Sequence, residues 1–215
     1  MEVAVKNIQR SPGIYDKLII PRKPVSVSRP QAEFIYSFLK EKGIKKTMEI
    51  GFAYGCSAAH IIAATHSRHY VIDPFQKYDW NNLGIKNLKL LKLYKYIKLI
   101  PSFSHSALPE LLKKRLRFDF IFIDGDHKYD TIMIDFYYAD LLLNVGGYVL
   151  FDDMNMEASK ETVNWIKTNR FDYIQMPLPD QWTDENGEHT NYDMFALFQK
   201  IAVDERRWDH FNTFR

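Results

Sequence analysis

Six carboxylates stand in or just after short apolar runs, and their placement carries most of the chemical information in this 215-residue chain. Glu49 lies inside Thr47-Met48-Glu49-Ile50, and Asp73 closes Tyr70-Val71-Ile72. Asp124 and Asp126 follow Phe120-Ile121-Phe122-Ile123, and Asp152-Asp153 follow Tyr148-Val149-Leu150-Phe151. If the runs are parallel strands, their carboxyl ends open on the crevice where such sheets bind ligands. Asp124, Asp152 and Asp153 brought together form a hard oxygen donor set, suited to Mg2+ rather than zinc. Their mutual repulsion calls for a cation or a proton. The alternative has Asp124 touching a ligand while Asp152 and Asp153 cap the next helix. Asp73 lies 22 positions after Gly51, the register of an acid that accepts hydrogen bonds from ribose hydroxyls. Asp126 and His127 are the candidates to move a proton; a histidine titrates near pH ~6.5 unless perturbed. His127 as a turn-fixing residue and Asp126 as an outer metal ligand are the competing assignments.

The turn Glu49-Ile50-Gly51-Phe52-Ala53-Tyr54-Gly55 joins the first apolar run to an apolar helical pattern, Ser57 to Ala64. Two glycines there permit positive φ and let a ligand approach the backbone. The spacing is not that of a dinucleotide fingerprint, because Ala53 and Cys56 stand where the second and third glycines belong. No lysine follows Gly55 as a phosphate-binding loop requires.

These residues need a sheet to converge. Apolar runs at about 46–50, 69–73, 97–100, 118–123 and 147–151 alternate with helical patterns, which predicts a parallel sheet covered on both faces. Ser28 reads as an N-cap, Pro30 as a first-turn residue and Gly43 as the end of a helix carrying Ala32, Ile35, Phe38 and Leu39. Tyr173–Met176 and Met194–Phe198 read as two antiparallel strands joined by a long polar segment, a length more typical of a functional loop. Trp182 and His189 in that segment are candidates to cover an acceptor, as are Tyr15 and Arg22 in the irregular arm 1–28. The organisation expected is a single domain over 1–215, with the arm, a core at 29–200 and a tail at 201–215.

A formal net charge of +2 argues against a dedicated nucleic-acid surface. One cysteine excludes an internal disulfide framework and a cysteine zinc site; Cys56, at a helix start, is read as a packing residue. There is no basic-then-apolar leader and no run long enough to span a bilayer. The expectation is a cytoplasmic protein with no membrane partner. Lys86, Lys89, Lys92, Lys95 and Lys98 drift around a helix and read as a solvated face. The segment Arg206–Phe211 either docks back or mediates association, so a homodimer remains open.

The pattern E-x-G-x-x-x-G at Glu49–Gly55 resembles motif I of class I S-adenosylmethionine (SAM) dependent methyltransferases. The stretch FDFIFIDGDHKYDTIMIDFYYADLLLNVGGYVLFDD resembles their metal-dependent and sugar-modifying O-methyltransferase branch. PSFSHSALPELL resembles the segment bordering adenine, with Ser102 standing where glycine is usual. The resemblance spans roughly 29–200. It implies a Rossmann-like, doubly wound, mostly parallel seven-stranded α/β sheet with an antiparallel C-terminal strand pair. It implies SAM as cofactor, with Gly51 and Gly55 shaping the pocket, Glu49 beside it, Ser57 donating a hydrogen bond, Asp73 on the ribose and Ser104 and His105 near adenine. Asp124 would adjoin the methionyl part and join Asp152 and Asp153 around Mg2+. The Asp-Asp pair, in place of Asp-Asn, resembles the sugar-modifying members more than the catechol-type ones. The activity implied is methyl transfer to a hydroxyl of a small molecule. An RNA or protein methyltransferase and a non-catalytic SAM sensor are the alternatives.

Overall fold

The computed structural model describes residues 4–6, 8–22, 25–179 and 194–214, and the backbone alone at 182–183 and 189–190. Helix α1 (Arg29–Glu41) starts at a capping box. The Ser28 hydroxyl accepts from the Gln31 amide, the Gln31 side chain accepts from the Ser28 amide, and Pro30 occupies the first turn. Gly43, at φ +64°, follows its end. This satisfies donors that a helix start otherwise leaves unpaired.

Among the described residues seven strands form one sheet. They are β1 (Thr47–Ile50), β2 (His69–Ile72), β3 (Ile97–Ile100), β4 (Phe118–Ile123), β5 (Leu143–Phe151), β6 (Tyr173–Gln175) and β7 (Ala196–Lys200), in the order 3-2-1-4-5-7-6. Strands β1 to β5 are parallel neighbours, whereas β7 runs antiparallel to both β5 and β6. Helices α2 (Cys56–Thr65), α3 (Leu83–Leu90), α4 (Ser104–Lys113), α5 (Tyr129–Leu142) and α6 (Glu157–Asn169) make the crossovers. The chain winds outward from β1 to β3 and then returns to β4 on the other side of β1. That reversal opens a crevice above the carboxyl ends of β1 and β4.

Four of the five expected parallel strands fall within a residue of their predicted spans; β5 instead begins at Leu143. Gly146-Gly147 reads as a break in sequence, but a bulge opposite Phe118–Phe120 absorbs the extra residues and the strand continues through. Both sheet faces are buried. Phe38 from α1 packs against Phe120 at 6.1 Å and Tyr148 at 5.0 Å, while Phe136 from α5 meets Phe151 at 5.9 Å on the opposite face. All five lysines of the series at 86–98 are exposed, on α3, the turn after it and the edge strand β3. The tail docks back through reciprocal hydrogen bonds between Asn212 and Asn169. A two-residue ribbon pairs Trp182–Thr183 with His189–Thr190. The side chains of Trp182 and His189, expected over the acceptor, lie outside the described residues. Among those residues no helix is long and apolar enough to cross a membrane.

Helix α5 also buries a charge. Asp135 has no solvent exposure and neither carboxylate oxygen has a hydrogen bond of ordinary geometry. Burial pushes its pKa from 3.8 to about 7, and the nearby Ser104 hydroxyl offsets only part of that. The folded state therefore holds this proton more tightly than the unfolded chain. Stability from this group is greatest below pH ~4 and falls as pH rises towards about 7, where the folded carboxyl ionises. Asp135→Asn should abolish that loss: thermal unfolding should show the variant gaining on the parent by several degrees from pH 5 to pH 8. Parallel pH profiles for the two proteins would reject the buried acid.

Candidate active site

The residue after each strand donates its amide to the last carbonyl of the neighbouring strand. Asp73 donates to Ile100 at 3.1 Å, Gly51 to Ile72 at 2.9 Å, Asp124 to Ile50 at 2.9 Å and Asp152 to Ile123 at 3.2 Å. The ladder thus runs one residue past β1, β2, β4 and β5, and it holds four predicted site residues in one row. Above the row lies a cavity of about 750 Å3 whose wall includes Gly51, Ser57, Asp73, Ser104, His105 and Asp124. Asp126 and His127 stand on the same wall. The size suits a nucleoside-sized ligand with room beside it.

The glycines are required by the protein's own packing. Gly51 has φ +96°, and a Cβ there would sit 1.8 Å from the Asp124 carbonyl oxygen. A Cβ on Gly55, at φ +73°, would meet the Phe52 ring at 2.8 Å. Gly51 thus permits a close backbone approach between β1 and β4 as well as standing on the cavity wall. Glu49 is fully buried beneath the cavity; its Oε2 accepts from the Ser57 hydroxyl at 2.8 Å, and its Oε1 lies 3.5 Å from His69 Nε2. Ser57 is therefore the residue of this pair that reaches the wall.

Asp73 organises the turn. Its Oδ2 accepts from the amides of Phe52 at 3.1 Å and Ala53 at 3.0 Å, and its Oδ1 from the Phe75 amide at 2.6 Å. Gln76 Nε2 adds a fourth contact, on Oδ2 at 3.3 Å. Each carboxylate oxygen has about two acceptor positions, so Oδ1, with one donor, retains room for one further donor.

The acids at β4 and β5 divide. Asp152 is buried, and its Oδ1 accepts from Gln31 Nε2 at 3.0 Å and the Asp153 amide at 2.8 Å. It is not one of the converging donors. Instead Asp124, His127 and Asp153 each bring one ligand atom within 4.8 Å of the others. His127 Nδ1 lies 3.3 Å from Asp153 Oδ2. Asp153 adopts φ +56°, a left-handed conformation for a residue with a side chain. Burial first, and then the charges of Asp152 and Asp153, hold the Asp124 carboxyl well above the usual carboxylate range. Burial and Asp153 raise Asp152 to about 7. Asp126 differs: Lys128 Nζ at 2.8 Å lowers it, and Thr131 Oγ1 lies 3.4 Å away.

A family model described as a methyltransferase domain matches residues 48–154, the span that holds all four laced strand tips. Those residues form a methyltransferase domain with the class I SAM-dependent methyltransferase fold. Among solved structures it resembles the O-methyltransferase TomG of Streptomyces achromogenes, in complex with SAM, with a TM-score of 0.72 at 16% identity over 92% of this chain and 93% of that one. A Bacillus cereus O-methyltransferase in complex with S-adenosylhomocysteine (SAH) gives 0.69 at 17% over 90% and 92%. An SAH-bound Podospora anserina methyltransferase gives 0.68 at 15% over 89% of each chain. At these identities the likeness establishes the fold. No curated protein matches the chain in sequence.

Several wall residues of this methyltransferase domain carry no mark in the sequence. Phe75 and Phe103, both exposed, meet edge to face at 5.7 Å, and His105 stacks on Phe103 at 5.5 Å. Their only signal is adjacency to Asp73 and Ser104. From the arm, Val25, Ser26 and Val27 close one side. Tyr15 instead lies under the Arg29 guanidinium at 4.9 Å, and Arg22 is exposed. Cys56 is buried on the wall, and burial pushes its thiol up to about 12, as a packing residue requires. Gly51→Ala should cost at least ~4 kcal/mol, the class of effect that combines backbone overlap with a strained φ. Gly146→Ala, at φ +89° with nothing within 4 Å, should cost only about 1–2 kcal/mol. Equal losses of melting temperature in the two variants would refute the strand-tip contact.

Proposed function

We propose that this protein transfers the methyl group of SAM to a hydroxyl of a small molecule. The observation that carries the reading is a single cavity bounded by the Gly51 turn, Asp73 and Asp124. Structural neighbours that hold SAM or SAH in the same fold support it. The nucleoside would lie between Asp73, whose free Oδ1 position takes a ribose hydroxyl, and the Phe75–Phe103–His105 aromatic group, with Ser104 at its edge. Its amino-acid end would extend over Gly51 towards Ser57 and Asp124.

Methyl transfer from a sulfonium is an in-line displacement of a donor already activated. The protein's work is alignment and removal of the acceptor proton. Asp126 would take that proton: it lines the cavity and stays ionised, although Lys128 lowers its pKa and so weakens it as a base. A divalent cation held by Asp124 and Asp153 would stabilise the developing alkoxide; the depressed acidity of Asp124 is the electrostatic sign that the donor set suits one. With oxygen donors alone the ion expected is Mg2+. The wall residues Asp126, Lys128, Asp130 and Thr131 offer charged and hydroxyl partners, which suits a polyhydroxylated, sugar-like acceptor. Closure of the opposite side by Val25–Val27, together with a net charge of +2, favours a small acceptor over RNA or protein.

SAH should raise the melting temperature by about 5–10 °C at a hundredfold excess over its dissociation constant. Phe103→Ala, at an exposed position, should weaken SAH about tenfold. Labelled methyl transfer should appear on hydroxylated small molecules and not on RNA or protein. An absent melting shift at ~1 mM SAH would overturn the cofactor assignment; a shift with no turnover across acceptors would mark a sensor.

A further inference from the structure

We propose that His127 is itself a metal ligand, so that the cleft takes a first-row transition ion in preference to Mg2+. The inference deepens the cation reading above, but it is read from metal binding and does not depend on methyl transfer. An all-carboxylate site was the natural expectation from an acid pair following a strand. The structure replaces one of its oxygens with a nitrogen.

Asp152 is already engaged. The Gln31 amide and the Asp153 amide both donate to its Oδ1, it is 9% exposed, and Gln31 is fixed in turn by the α1 capping box. Asp152 is thus a positioning residue, tying the start of α1 to the tip of β5. The remaining donors are Asp124, Asp153 and His127, whose ligand atoms lie within 4.8 Å of one another. Two donors at right angles, each about 2.2 Å from a shared ion, are separated by roughly 3.1 Å. The His127 Nδ1–Asp153 Oδ2 distance of 3.3 Å is close to that. Donors on opposite sides of an ion reach about 4.4 Å apart, so the set closes on one ion with a few tenths of an ångström of adjustment.

Ligand chemistry then sets the choice. Mg2+ prefers oxygen donors in a strict octahedron and keeps its waters, whereas imidazole nitrogen favours first-row transition ions. Two carboxylates and one imidazole leave positions open for water or an acceptor oxygen. Among the described residues of this turn the cationic side chain is Lys128, and it is directed to Asp126.

Mn2+ is the probe, added to the full-length protein without SAM and followed by electron paramagnetic resonance, with Mg2+ as competitor. The parent should bind one Mn2+, resist displacement by equimolar Mg2+, and show electron spin-echo modulation from an imidazole nitrogen. His127→Ala, at a side chain 39% exposed, should lose the modulation and weaken Mn2+ by tenfold or more, with Mg2+ affinity changed less than threefold. Asp152→Asn should keep the modulation. Binding without nitrogen modulation, displacement by equimolar Mg2+, or no binding at ~1 mM Mn2+ would each overturn the proposal. The SAH melting shift, measured on the same samples, reports separately whether the nucleoside reading stands.

Discussion

The site depends on one repeated contact, the amide just past a strand donating to the last carbonyl of its neighbour. Four such bonds, from Asp73, Gly51, Asp124 and Asp152, extend the parallel ladder by a residue. Each is an ordinary backbone hydrogen bond, worth about 1 kcal/mol net. Their effect is geometric more than energetic, because they set four residues from distant parts of the sequence at one level. At the centre the β1 and β4 tips approach so closely that no side chain fits at Gly51. A change there would displace Asp124 as well as the turn that Asp73 holds. The glycine is therefore a condition for the acids, and the proposed nucleoside pocket and the proposed cation site share it.

Bringing acids to one level has an electrostatic cost, and each is offset differently. Asp73 is surrounded by amides, so its charge is met by backbone dipoles from the turn it organises. Glu49, fully buried, accepts from Ser57 and lies beside His69. Asp152 is held by Gln31 and remains raised to about 7. Asp126, at the rim, has Lys128. Asp124 is the exception: it is desolvated beside Asp152 and Asp153, and its environment favours the neutral form. A protein gains nothing in stability from that arrangement. Under the proposed function it is a donor held ready for a positive group, either a metal ion or the charged end of a sulfonium ligand.

The fold was legible because its signals are local. Buried parallel strands are continuous apolar runs, and Ser28 with Gln31 gives a capping box that needs no tertiary contact. The site was legible in location and less so in detail, for the same reason. Sequence shows that Asp152 and Asp153 follow a strand, but that Asp153 groups with Asp124 and His127 while Asp152 meets Gln31, 121 positions away, goes with a left-handed backbone at Asp153 that no local pattern shows. The role of Gly51 likewise rests on a contact with Asp124, which no short window contains. His127 was visible as a chemically able residue beside Asp124; its pairing with Asp153 came only from the packing of β4 against β5. Val25–Val27 left no trace at all, since an irregular arm has no periodicity to read.

Gln31 connects that arm to the chemistry. Its amide oxygen accepts from Ser28 at the entry to α1, while its nitrogen donates to Asp152 at the tip of β5. The residues immediately before Ser28 form one side of the cavity, and the residue immediately after Asp152 is a donor at the proposed cation site. One side chain thus fixes the acceptor wall relative to the donor cluster. Rigid placement of both is what an in-line displacement requires, because its rate depends on holding nucleophile, methyl carbon and sulfur in line. Neither the Val25–Val27 wall nor the Asp153 donor is positioned by the sheet ladder alone. The link between them lets a segment without regular structure take part in a geometry that otherwise belongs to strands.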